Sequence, residues 1–161
     1  MNSAVTSHPL PPADSVRPFK VGAYGFVLLG LGHLALSAVA ASAARTPERS
    51  AAERAMREST LVLLGLERTV LDVFNGMSIA MAFFSITCGL LILAAVRHAP
   101  VLVQRRTAFG WIALAVSLAV LATALLLLPP PPIVVLTVCA CAFALSLRRA
   151  ATPAARASTG A

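Results

Sequence analysis

Four runs of apolar residues, separated by polar or proline-bearing breaks, set the pattern of this chain. The first covers about residues 21–41 without a charged side chain, and ~20 apolar residues are what a helix needs to cross ~30 Å of hydrocarbon. The second runs from about 69 to 96, the third from about 109 to 128 and the fourth from 133 to 147. The fourth is short for a span unless some of the prolines at 129–132 lie within the apolar zone. Consecutive prolines do not continue a helix interior, so these four predict a rigid extended corner. The predicted fold class is all-α, an integral membrane four-helix bundle with a short amphipathic helix in its first loop.

The polar segments complete the domain plan. Residues 1–20 hold Pro9, Pro11, Pro12 and Pro18 with no apolar periodicity and are expected to be a disordered tail. The transmembrane domain spans 21–147, and residues 148–161 form a second disordered tail. Ala41, Ser42 and Ala43 resemble a signal-peptide cleavage site, but the apolar run before them exceeds a signal peptide's apolar region. At about 47–60 a surface helix is predicted: Thr46 supplies an N-cap, Pro47 takes the first helical position and Glu48 lies in the first turn. Arg49 and Glu53, Glu53 and Arg57, and Arg54 and Glu58 are each four apart, the spacing of supporting ion pairs. Ala52, Met56, Ser59 and Leu63 fall on the other side. Leu61–Leu66 is too short to span and is interrupted by Gly65, Glu67 and Arg68, so the second span is placed after Arg68, on a helix beginning near Glu67.

Composition moves the reading firmly to a membrane. Of 161 residues, 58% are hydrophobic and only 12% charged, with a mean hydropathy of +0.86, outside the range of soluble domains. The net charge of +7 comes from basic residues scattered beside the apolar runs rather than gathered in a patch, which fits membrane flanks and not nucleic acid. If both termini are cytoplasmic, eight of the 13 Lys and Arg residues lie inside and five outside, which favours that orientation. Cys88, Cys139 and Cys141 all fall in apolar spans and read as small packing residues rather than a disulfide or metal set. No cofactor and no metal site is expected.

Small residues mark where helices approach each other. Gly22, Gly25 and Gly32 recur along the first span, and Gly76 with Ala80, and Ser85 with Gly89, repeat the small-xxx-small spacing of packed membrane helices. His33 is the one residue of the first span whose side chain can become charged near neutral pH, about 20 Å above its inner edge at 1.5 Å per residue. On a helix beginning near Glu67, Arg68, Asp72 and Asn75 share one face, at a depth His33 can reach. This defines a predicted polar cluster of His33, Arg68, Asp72 and Asn75. Its structural reading is a clamp between helices. Its chemical reading takes His33, Glu67 and Asp72 as candidate catalytic groups, because intramembrane ionisable residues are expensive to keep without a role.

Gly32-His33 in the first span, Met56 in a charged linker, and Gly65, Arg68, Asp72, Phe74 and Gly76 running into the second span resemble a family of small four-span bacterial membrane proteins of uncharacterised function. The resemblance covers about residues 22–92 and implies four spans but no activity. The family's second histidine, shortly after the first, has no counterpart here; Ser37 stands near its place. The function expected is a structural or interaction component of the cytoplasmic membrane, whose partners are membrane lipids and, secondly, another membrane protein. The alternative is a small membrane enzyme, an isomerase or cyclase, acting on a hydrophobic substrate through His33 with Asp72 or Glu67.

Overall fold

A computed structural model describes residues 16–104 and 107–150, so most of both predicted tails lies outside the described residues. In chain order the elements are α1 (Val16–Ser42), α2 (Pro47–Glu58), β1 (Thr60–Leu63), β2 (Leu66–Thr69), α3 (Val70–His98), α4 (Val101–Gln104), α5 (Ala108–Leu127) and α6 (Pro130–Arg149). The fold class is all-α, and α1, α3, α5 and α6 are each long and apolar enough to cross a membrane. The chain divides into two compact units, Met1–Gly25 with Gly89–Ala161, and Phe26–Cys88. Helices α1 and α3 contribute to both.

Two helix starts lie earlier than the apolar runs, for one physical reason. The first N–H groups of a helix have no partner within it, so prolines are accepted there. Pro18 accordingly lies in the first turn of α1, which begins five residues before the predicted 21. Pro129 is the extended N-cap of α6 and Pro130–Pro132 form its first turn. The expected proline corner is thus a helix start, and it gives α6 its 20 residues.

In the first unit, α6 supplies the core. Leu136, Cys139, Phe143 and Leu147 are buried along one stripe at three- and four-residue steps. Phe19 of α1 meets the Phe143 ring edge-on with centroids 4.8 Å apart, and stacks on Phe109 of α5 at 5.7 Å. Such aromatic pairs contribute ~0.5–1.5 kcal/mol beyond burial. A Cβ on Gly22 would stand 2.6 Å from Phe143 Cζ, and one on Gly25 would collide with Cys139 Sγ. Since Gly22 meets position 143 and Gly25 meets 139, α1 and α6 run antiparallel. On α5, Gly110, Ala113, Ser117 and Ala124 are buried, with Gly110 against Leu147. The buried Ser117 hydroxyl donates to its own helix at Ala113 O, 2.7 Å away, so it is satisfied without a partner helix.

In the second unit, α1 and α3 approach at Gly30, where a Cβ would stand 2.5 Å from the Ala82 carbonyl oxygen and 2.7 Å from Ile86 Cγ1. Loop elements then hold the ends. Thr46 caps α2 by accepting from Arg49 N–H at 3.3 Å, as its sequence predicts. Arg49 Nε donates to Glu53 Oε1 at 3.1 Å, and its Nη1 donates to Ala40 O at 2.8 Å. That guanidinium therefore covers a terminal carbonyl of α1, where the helix dipole favours a cation. Arg45 adds a longer pair to Glu53 at 3.8 Å.

Between α2 and α3 the structure departs from the sequence reading. Residues read as the end of the surface helix and the entrance to the second span form an antiparallel hairpin, with Thr60 opposite Thr69, Leu61 opposite Arg68 and Val62 opposite Glu67. Its two-residue turn has Leu64 at φ 51° and Gly65 at φ 81°, the type I′ geometry that matches strand twist. A non-glycine residue there costs ~1–2 kcal/mol.

Candidate functional site

The polar contact between α1 and α3 joins His33 Nε2 to Ser78 Oγ by a hydrogen bond of 2.6 Å, half-buried. Helical periodicity places this pair one turn from the Gly30 contact on both helices. Glycine lets the backbones close, and the imidazole, three residues further along α1, meets a hydroxyl four residues before Ala82 on α3. The contact contributes on the order of 1 kcal/mol in an apolar setting.

The other predicted members of the cluster lie elsewhere. Asp72 is exposed and belongs to the start of α3: Thr69 Oγ1 donates to Asp72 Oδ2 at 2.8 Å and accepts from Asp72 N–H at 3.1 Å. The pair resembles a capping box, in which a hydroxyl and an acid three residues on satisfy a helix's first donors. Asp72 and Ser78 are six residues apart, about 240° around the helix and ~9 Å along it, so Asp72 does not share the His33 face. Arg68 and Glu67 are exposed on β2. The expected helical pairing of Arg68 with Asp72 does not form, because Arg68 precedes the helix; its Nη1 instead reaches Glu67 O, at 3.5 Å. Asn75 is exposed on α3.

The predicted packing residues divide in the same way. Gly22 and Gly25 are close contacts, and Gly89 is buried. Gly32 and Gly76 have nothing within 4 Å of a Cβ position, and Ala80 is exposed. The reason is rotation: Gly32 is two residues from Gly30, and Gly76 two from Ser78, about 200° off the contact face. Sequence reading missed Gly30 and Ser78. Their signal was present as three- and four-residue spacing from His33 and Ala82, but those partners are set by the tertiary pairing.

A hydroxyl and an imidazole at this distance can exchange a proton, yet among the described residues no carboxylate orients the ring, since Asp72 is engaged with Thr69 and Glu67 lies on the hairpin. Among the described residues no group of three or more His, Cys, Asp or Glu gathers to hold a metal ion. Outside the apolar helices, the Glu48 carboxyl is held below its ordinary 4.5 by the backbone N–H at the α2 N-terminus, and then by the Thr46 hydroxyl.

Four helices have the length and apolar composition of membrane spans, the pattern of a multi-pass membrane protein. Comparisons of the chain with family models, with curated proteins and with solved structures give no match.

Proposed function

We propose that the protein is a structural or interaction component of the cytoplasmic membrane, with both termini cytoplasmic, acting through lateral contact with lipids or another membrane protein. One observation carries this reading: the polar side chains bridging α1 and α3 close on each other, His33 on Ser78, which is what a clamp requires. The basic flanks favour the orientation, and the resemblance of residues 22–92 to small four-span proteins accords with the span count. The enzyme alternative needs His33 to meet Asp72 or Glu67, and finds no support in that geometry.

The test is complementation of a null strain. A clamp predicts that His33→Ala lowers thermal stability in detergent, and that the strain is rescued wherever the variant accumulates to the wild-type level. A His33→Ala protein that accumulates and folds normally yet fails to rescue would overturn the reading in favour of chemistry at the imidazole.

A further inference from the structure

The hairpin between α2 and α3 breaks a local rule without compensation among the described residues. Type I′ turns favour Asn, Asp or Gly at both central positions, but here Leu64 takes the left-handed conformation with its side chain 103% exposed. Leu61 and Leu66 are also exposed, at 43% and 62%. Strand alternation and the pairing of Leu61 with Arg68 put Leu61, Leu66 and Arg68 on one face, and Val62 and Glu67 on the other. Strained, unpartnered positions of this kind point to a function outside the local fold.

The helix pairing fixes the height of this element. His33 meets Ser78, and Gly30 meets Ala82, in antiparallel order. Continuing ~12 Å along both axes at 1.5 Å per residue brings the end of α1, Ala41–Ser42, level with Val70. The hairpin therefore leaves α3 where the apolar run of α1 stops. It is tied there by Thr69, which ends β2 and caps α3, and by Val70 N–H donating to Ser59 O at 2.9 Å.

We propose that residues 60–69 are a membrane-interface anchor: Leu64 and the Leu61/Leu66 face insert at the headgroup–acyl boundary of the leaflet on the loop side, and the Arg68 guanidinium reaches lipid phosphates. Leucines with an arginine on the same face match that boundary, since the long side chain lays its stem in the apolar layer and its charge among headgroups. A second copy of the chain would need a cover for that charge, whereas a phospholipid surface supplies it. The proposal rests on the multi-pass reading.

The experiment reconstitutes the full chain in phosphatidylcholine–phosphatidylglycerol vesicles, with and without brominated acyl chains. Leu64→Trp is made in a Trp111→Phe background, so that the tip carries the only indole. The expected result is a blue-shifted emission that brominated lipid quenches and aqueous iodide does not. Red emission quenched by iodide overturns the proposal, and so does protection from both quenchers, which would mean a protein cover. The wild-type chain separates the two readings. Trp111 unquenched by brominated lipid would sink the multi-pass reading, whereas Trp111 quenched and Leu64→Trp unquenched sinks only the anchor. If the Trp variant fails to fold, a nitroxide on Leu64→Cys, in a chain whose Cys88, Cys139 and Cys141 are replaced by Ala, reads the same depth. Greater collision with oxygen than with a water-soluble nickel chelate is expected, and the reverse order overturns the proposal.

Discussion

Gly30 of α1 faces the Ala82 carbonyl of α3 so closely that a methyl group has no room, with 2.5 Å from the Cβ position to the oxygen. Backbone does not move aside as a flexible side chain does, so Gly30→Ala is expected to lose ~1–3 kcal/mol by overpacking. Gly32→Ala, with open space at the same depth, is expected to gain up to ~1 kcal/mol from helix propensity. Thermal unfolding in detergent checks both, and equal effects at the two glycines would contradict the contact.

His33 and Ser78 form a closed pair, so His33→Ala and Ser78→Ala are each expected to cost on the order of 1 kcal/mol. The double variant should cost little more than either single one, because residues that share one hydrogen bond are coupled. Asp72→Ala, whose partner is Thr69, should add independently to His33→Ala. Measured coupling between Asp72 and His33, comparable to that between His33 and Ser78, would show that the predicted cluster exists after all.

The α2 N-terminus carries a pH-dependent element. Because Glu48 titrates below its ordinary value when folded, its contribution is present above the unfolded value of about 4.5 and is lost as pH falls through the lower folded value. The protection of α2 amides, measured against their intrinsic exchange rates at each pH, should therefore fall on acidification through that range, and less so in Glu48→Gln. Thr46→Ala, which removes the cap, should speed α2 exchange at neutral pH by the equivalent of ~1 kcal/mol.

Orientation is open to a direct measurement. Ala51 is exposed on α2, in the loop placed outside. Ala51→Cys in intact cells is expected to react with a membrane-impermeant maleimide. Reaction only after the cells are opened would invert the assignment.

Several elements were legible along the chain because their determinants are local. The Thr46 cap and the Arg49–Glu53 pair depend on residues within a single turn, and both formed as spaced. The hairpin was not legible. Its strands are four residues each, too short for periodicity to tell strand from helix, and its turn carries Leu64 where Asn or Asp would have announced it. Reading Glu67 and Arg68 as helical then placed Arg68 on a face with Asp72 that does not exist.

The sequence by itself determined that four apolar segments of spanning length would be helices, because hydrophobicity and helix length accumulate residue by residue along the chain. Only the tertiary structure decided which side of each helix faces its neighbour. That rotation is set by close packing at a few positions, Gly30 on Ala82 and Gly22 on Phe143, and a turn of about 100° per residue converts each choice into a different set of partners. It gave His33 the hydroxyl of Ser78, 45 residues away in sequence, and left Asp72 to cap its own helix.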